Sequence, residues 1–294
     1  MHKTRALLLA ALLLAAPLAP ANELTFDEAV ALALERDDPA QTRFEARARM
    51  LEHRAVAEAQ LPDPMVSGQV ANLPVDSYDF GQEGMTQAMR IGLRQEFPAG
   101  DTLALTGKQR AVQAAAERAR AAQARRDIAL EVRNAWLEQF WHARAVGILQ
   151  HARGAIHGQI GSLSARFATG QMHAQDVLRA ELELDLIDDR ITEHRRQIEV
   201  ARAALARYLG AAADRPVPGV LPVLAAPGPV EDLQRRLPDH PAVAAEQGQI
   251  DAADLGVALA EQAYKPKFAL EAGYGMRTER PDLASVGVTL SLPL

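Results

Sequence analysis

Hydrophobic residues recur every three or four positions through the middle of the chain, and this spacing predicts helices. No proline occurs between Pro98 and Pro216. Because proline costs about 3 kcal/mol in a helix interior, the window is expected to be mostly helical. The run that ends at Gly170 offers the best helix stop and turn. We therefore predict a hairpin of two long helices, over about residues 101–168 and 174–209.

The second arm of this hairpin carries a coiled-coil seam, in which spacings of three and four residues alternate. His194 lies on the seam, and a packed or hydrogen-bonded histidine is favoured there over a metal ligand, because no second histidine lies three or four residues away. The seam residues are Val177, Ala180, Leu184, Ile187, Ile191, His194, Ile198, Ala201, Leu205 and Tyr208. In the first arm, Val112, Ala115, Ala119 and Ala122 predict a face of small residues.

The first 21 residues predict a secretory signal peptide. Lys3 and Arg5 form a charged start, residues 6–16 are an apolar run, and Ala19 and Ala21 are small residues at the cleavage positions. No later segment resembles a transmembrane helix, because charges interrupt every longer apolar stretch. The chain is therefore expected to be exported. It has no cysteine, which removes disulfides, thiolate metal sites and a lipidated cysteine.

Four shorter segments alternate between apolar and polar residues, as β-strands with one apolar face do. They cover residues 65–73, 88–97, 267–275 and 285–292. The pattern alone fits a half-buried sheet and a transmembrane barrel equally well. In an exported chain with long helices, a membrane would cover the apolar face. Because four strands cannot close a barrel and lipid does not tolerate open edges, several copies would have to share one barrel, and three copies would supply twelve strands.

The order of helix, strand, loop and strand occurs twice. Pro39-Ala40 recurs as Pro241-Ala242 at an offset of 202 residues, and Pro98 recurs as Pro293 at an offset of 195. Only the first copy continues into a hairpin, so we expect the sequence to be C-terminally incomplete. The predicted domains are a signal peptide (1–21), a first repeat that includes the hairpin (22–209), a proline-rich equatorial linker (210–236) and a second repeat truncated after its two strands (237–294).

These residues resemble the TolC-type outer-membrane efflux proteins, over residues 24–294. The resemblance rests on the two-copy order and on three groups of residues. They are the opening Leu24-Thr25-Phe26-Asp27-Glu28-Ala29, the pattern Arg166-Phe167-x-x-Gly170, and Asp176-Val177-Leu178-x-Ala180. Within the family, Leu61-Pro62-Asp63-Pro64, Asn72-Leu73-Pro74 and Phe97-Pro98-Ala99-Gly100 look like the heavy-metal branch of the CzcC and CusC type. Asp101 departs from the lysine often found after that glycine.

The resemblance implies a mainly α fold with a small antiparallel β part, in which a long coiled-coil hairpin joins four strands of a trimeric transmembrane barrel. The expected function is the exit duct of a tripartite efflux system of the RND class. The duct would lie in the outer membrane, with its helices in the periplasm, and would export heavy-metal cations. Its expected partners are a periplasmic adaptor, an inner-membrane RND pump, two further copies and outer-membrane lipid. Arg166, Phe167, Gly170 and Asp176 would shape the hairpin tip that contacts the adaptor. The alternative is a soluble periplasmic coiled-coil scaffold without a transport role.

Candidate chemistry changes this picture little. The common phosphate-binding, zinc-protease and hydrolase motifs do not occur, so we expect no enzyme activity, no cofactor and no bound metal. Aromatics are 4% of residues and the formal net charge is −6, and no basic cluster carries aromatics, which disfavours a nucleic-acid partner. Asp185, Asp188 and Asp189 form an acidic patch that fits a solvated face or a cation-attracting lumenal surface. The sequence leaves the cargo open between a metal ion and an organic compound.

Overall fold

The computed structural model describes residues 23–81, 84–224 and 226–293, so the predicted signal peptide lies outside the described residues. The mainly helical fold class is confirmed, with one four-stranded antiparallel sheet. The elements are α1 (Phe26–Glu35), α2 (Pro39–Ala57), β1 (Met65–Ala71), β2 (Gln87–Phe97), α3 (Thr102–Ala168), α4 (Ala174–Leu209), α5 (Val230–Arg236), α6 (Pro241–Gln262), β3 (Lys267–Met276) and β4 (Leu283–Ser291), with short 3₁₀ turns at Gly210–Asp214 and Leu237–Asp239.

The chain divides into two compact units. The hairpin unit holds the described residues within Met1–Asp38 and Arg125–Pro227, and the sheet unit holds those within Pro39–Ala124 and Gly228–Leu294. Helix α3 is 67 residues long and supplies residues to both units. Helices α3 and α4 begin and end within one residue of the predicted hairpin arms.

The core of the hairpin unit forms where α1 packs against α3 and α4. Thr25 caps α1, and its side-chain oxygen accepts a hydrogen bond from the Glu28 amide at 3.3 Å. Trp136 is buried, stacks on Phe140 at 5.6 Å and donates its indole N–H to the Leu24 carbonyl at 2.8 Å. A buried indole needs such an acceptor, so this contact fixes the start of α1 against α3.

An ion pair also attaches α1 to Arg215, which follows the 3₁₀ turn after α4. The Arg215 guanidinium donates to both carboxylate oxygens of Glu28, at 2.8 and 3.1 Å, and to the Glu23 carbonyl at 2.6 Å. The hydrogen bond from Arg215 holds the pKa of Glu28 below its usual value. Core packing therefore accounts for Trp136 and Phe140, whereas Trp141, which we expect in the core from its position on the apolar arc of the first arm, is 64% exposed.

The sheet unit contains a meander in the order β1-β2-β3-β4, with every neighbouring pair antiparallel. Strands β2 and β3 come from the two sequence copies and pair over nine residues, from Met89 opposite Met276 to Phe97 opposite Phe268. The rings of Phe97 and Phe268 stack at 4.8 Å. The two copies therefore form one continuous sheet.

Within the sheet unit, α6 runs antiparallel to residues 102–124 of α3. The Asp101 amide donates to the Gln262 side chain at 3.1 Å, and the Gln109 side chain donates to the Ala252 carbonyl at 2.9 Å. A Cβ on Gly248 would lie 2.9 Å from the Ala116 Cβ, so only glycine permits this helix spacing.

The predicted small-residue face of the first arm is wrong in register. Ala115 and Ala122 are exposed, and Val112 and Ala119 are only half-buried. The buried alanines of this segment are Ala114, Ala116, Ala121 and Ala124. Alanine occurs on several faces of this helix, so its spacing does not identify the face that packs.

Candidate functional site

One face of the sheet, which we call the apolar face, is hydrophobic and exposed. Val66 lies opposite Leu93, Leu93 opposite Ala272 and Ala272 opposite Val286, so these residues share a face. Val66 is 74% exposed and Val286 is 86% exposed. Other exposed residues of this face are Ile91, Leu93, Phe268, Leu270, Tyr274, Val288 and Leu290. A contiguous apolar surface of this kind marks contact with a partner or with lipid.

The opposite face, which we call the polar face, carries charged and hydroxyl side chains. Arg94 donates to Glu271 at 2.7 Å and to Glu96 at 3.2 Å, which links β2 to β3. The two faces follow the alternation that the sequence predicts.

Both outer strands of the sheet have an unpaired edge within the described residues. Strand β1 pairs only with β2, and strand β4 pairs only with β3. An unpaired edge exposes a row of backbone N–H and C=O groups. These groups can pair with a further strand, and in lipid they must do so.

The tip between α3 and α4 contains the four residues predicted to contact an adaptor. The Gln171 amide donates to the Arg166 carbonyl and the Gly170 amide donates to the Phe167 carbonyl, both at 2.9 Å, which is the Schellman helix end. Gly170 has φ 74°, the left-handed conformation. The Phe167 ring is about half exposed, and Asp176 lies in the first turn of α4.

The charges at the tip agree with the helix dipoles. Arg166 lies in the last turn of α3 and Asp176 in the first turn of α4, where each sign is favourable. No ion pair involves the Arg166 side chain within the described residues. The arrangement brings Arg166, Phe167 and Gly170 together at one helix end and leaves the two charged side chains available to a partner.

The seam of α4 faces α3. All ten predicted seam residues are buried or half-buried. The exposed residues Leu178, Leu182 and Leu186 form a second apolar stripe at four-residue spacing. The four-residue spacing of these leucines is the signal in the sequence that identifies the stripe.

A histidine pair in the seam could not be found from local spacing. His194 of α4 and His142 of α3 approach with their Nδ1 atoms 2.8 Å apart, and the His142 Nε2 lies 3.4 Å from a Glu138 carboxylate oxygen. The two residues are 52 positions apart, so their contact depends on how the two helices align. The described residues contain no group of three or more side chains that could hold a metal ion.

The acidic patch of α4 is partly neutralised. The Arg153 guanidinium donates to both carboxylate oxygens of Asp188, at 2.6 and 3.2 Å. This hydrogen bond holds the pKa of Asp188 below its usual value. Asp185 and Asp189 are exposed, so the patch contains one bridging acid and two solvated ones.

None of the helices in the described ranges combines the length and the hydrophobicity that crossing a bilayer requires.

No protein-family model and no curated protein matches the sequence. Several solved structures share its fold. VceC, an outer membrane protein from Vibrio cholerae, aligns with 92% of this chain and 68% of its own, at a TM-score of 0.72 and 17% identity. A membrane protein from Pseudomonas aeruginosa aligns with 92% of this chain and 67% of its own, at a TM-score of 0.74 and 20% identity.

CusC aligns with 92% of this chain and 65% of its own, at a TM-score of 0.71 and 15% identity. Its crystal structures describe conformational changes that accompany folding and transmembrane channel formation. The chain therefore spans about two thirds of the length of the structures it matches. Identities this low show a shared fold. The fold class expected from the TolC-type resemblance, that of channels with long helical hairpins, is thus confirmed.

Proposed function

We propose that this protein is a non-enzymatic subunit of an outer-membrane exit duct in a tripartite efflux system of the RND class. The observation that carries this proposal is the four-stranded sheet, which has one exposed apolar face, one polar face and two unpaired edges. The fold shared with outer-membrane channels supports the same function. In this role the apolar face contacts lipid, and the polar face lines an aqueous lumen.

Three copies close the barrel in this proposal. An unpaired strand edge in lipid costs several kcal/mol for each unsatisfied backbone group, so β4 of one copy pairs with β1 of the next. Three sheets of four strands give twelve strands, above the eight of the smallest bacterial barrels. The exposed stripe of Leu178, Leu182 and Leu186 becomes covered by a neighbouring copy when the trimer forms.

Cysteine cross-linking in isolated membranes tests this assembly. The variant carries two introduced cysteines, one on β1 (residues 65–71) and one on β4 (residues 283–291). Because the chain has no cysteine of its own, only these two can form cross-links. We expect outer-membrane material that needs detergent for extraction and a cross-linked ladder that ends at three copies. A freely soluble mature protein, or a ladder that ends at two, contradicts the duct and supports the periplasmic scaffold.

The periplasmic adaptor contacts the hairpin tip in the proposed system, and an inner-membrane pump supplies the energy. The half-exposed Phe167 offers an apolar contact, and the side chains of Arg166 and Asp176 offer charges of both signs. Replacing Arg166 with glutamate is expected to weaken adaptor cross-linking at the tip while trimer formation is unchanged. Loss of both together would assign Arg166 to folding.

The proposed cargo is the heavy-metal cation class, on the strength of the three proline-containing motifs alone. Expression in a strain that lacks other ducts, together with the cognate adaptor and pump, is expected to raise tolerance to divalent transition-metal salts. Tolerance to organic dyes and detergents measured in the same strain is the comparison. Protection against the organic compounds alone contradicts the metal assignment and leaves the duct function in place.

A further inference from the structure

Arg90 differs from the other arginine on the polar face of β2 because it has no acidic partner. Arg94 pairs with Glu271 and with Glu96. Among the described residues, no carboxylate lies within salt-bridge distance of Arg90. The Arg90 side chain is half-buried, so its charge is held close to the sheet.

Glycine on the neighbouring strand makes room for the Arg90 side chain. A Cβ on Gly273 would lie 3.4 Å from the Arg90 Nε and 2.7 Å from the Ser285 hydroxyl. The guanidinium therefore lies across β3 in a cleft of about 430 Å³, whose polar lining includes Ser67, Gln69 and Ser285 and also the ion pair of Arg94 with Glu271. Because Glu271 pairs with Arg94, the Arg90 guanidinium is left without an ion pair of its own among the residues that the structure describes.

The charges of the whole polar face leave a positive excess. Its cationic residues are Arg90, Arg94 and Lys267, and its anionic residues are Glu96 and Glu271. The polar face therefore carries one excess positive charge in each copy, because it has three cationic and two anionic side chains. Lys267 begins β3 at one end of the sheet, whereas Arg90 lies within β2 and pairs with Gly275 and Gln69 on its two sides.

We infer that Arg90 makes the lumen of the barrel selective for small anions over cations. The inference rests on the proposed function, because it requires three copies to form one barrel with the polar face inside. Three copies then place three unpaired guanidinium groups at one level of the lumen. Clefts lined by one sign of charge with low-dielectric walls concentrate ions of the opposite sign. A chloride ion or a carboxylate is attracted at this level and a free small cation is repelled, so a metal cation of the proposed cargo class passes this level only when the inner-membrane pump drives it.

Salt must weaken this selectivity in a defined way. The Debye length is about 10 Å at 0.1 M salt and about 3 Å at 1 M. A ring of fixed charges along the wall of a wide barrel therefore acts across the lumen at low salt and only near the wall at high salt. A purely structural role of Arg90 would not produce this dependence.

Planar-bilayer recordings of the trimer under a KCl gradient measure the chloride-to-potassium permeability ratio. Arg90→Cys is expected to lower this ratio at least about twofold at 0.1 M salt and much less at 1 M. Because the chain has no other cysteine, the charge can then be changed in the folded, inserted channel. A cationic methanethiosulfonate reagent is expected to restore the ratio, and an anionic one to lower it further.

Two controls match this experiment. Ile91→Cys lies on the next residue of β2 and on the apolar face, so water-soluble reagents of either charge should leave its permeability ratio unchanged. The double variant Arg94→Gln with Glu271→Gln removes one charge of each sign, so it should keep the wild-type ratio. Arg90→Lys should also keep it, since the charge remains.

The outcomes separate this inference from the proposed function. A conducting Arg90→Cys channel whose ratio equals that of the wild type, before and after both reagents, overturns the selectivity of Arg90 and leaves the channel standing. A wild-type protein that forms no trimers in the membrane overturns the duct itself.

Discussion

Gly170 shows how one backbone conformation can decide a helix end. Its φ of 74° lies in the left-handed region, and a Cβ built there would meet nothing within 4 Å. The backbone conformation is therefore the only obstacle to a side chain. Asparagine tolerates this conformation far better than a β-branched residue does.

Gly170→Val is expected to disturb the tip and to impair efflux more than it lowers the folded yield. The strain is about 1–2 kcal/mol or more at one exposed turn, which is small against a seam that extends along α4. Resistance and folded yield should be measured side by side, with Gly170→Asn as the matched control that retains most of both. Equal loss of resistance and yield in Gly170→Val would assign the glycine to folding alone.

Tyr208 has an environment that a titration can detect. Its side chain is buried at the end of the seam, and its hydroxyl donates to the Glu131 carboxylate. Burial, reinforced by this hydrogen bond, raises the pKa of Tyr208 to about 12. Because folding raises this pKa, the protonated tyrosine stabilises the folded state. The stabilisation is complete below the pKa of the unfolded state, about 10, and is lost as the pH rises through the pKa of the folded state.

We therefore expect a tyrosinate absorbance step near pH 12 that is missing in Tyr208→Phe. Glu131→Gln should move the step to lower pH without removing it, because a neutral amide no longer disfavours the tyrosinate. The difference spectrum between wild type and Tyr208→Phe isolates this residue from the other tyrosines. A step that stays the same in Tyr208→Phe contradicts the assignment.

Among the helices and strands, the periodicity of the sequence predicts those whose hydrophobic pattern repeats several times. The hairpin arms and the four strands lie where the sequence places them, because several heptads or several alternations specify one face. Contacts between elements were predicted less well. The alanine-rich face was misassigned at Ala115 and Ala122, since alanines on several faces give no unique register.

The histidine pair illustrates the same limit. His194 was placed correctly on the seam, but its partner His142 depends on the alignment of two helices that local spacing does not determine. The unpaired charge of Arg90 likewise depends on which residues face each other across β2 and β3. Such contacts need the strand register and the helix alignment, which the structure supplies.

The seam should carry much of the stability of the hairpin unit. Leu205 is fully buried, so Leu205→Ala is expected to lower the free energy of unfolding by about 2–5 kcal/mol. Leu182 is 58% exposed on the same helix, and Leu182→Ala should cost less than about 0.5 kcal/mol in the dissociated chain. Denaturant unfolding in detergent measures both. Equal losses would show that the seam is not the buried face of α4.

At the scale of the whole molecule, the repeated order of elements has a structural consequence. Each of the two sequence repeats contributes two strands. Strand β2 of the first repeat pairs with β3 of the second, so the two repeats together form one sheet. The same sheet presents lipid-compatible side chains on one face and charged side chains on the other. The hairpin unit contributes the tip, which we propose as the contact for an adaptor.

The most direct test of the membrane assignment is a single-cysteine scan along β4 in outer-membrane vesicles. We expect cysteines at Val286, Val288 and Leu290 to react only with a maleimide dissolved in the lipid. Cysteines at Ser285, Gly287 and Thr289 should react only with a charged, membrane-impermeant maleimide. If all six positions react alike with the water-soluble reagent, the sheet does not lie in the membrane and the duct is contradicted.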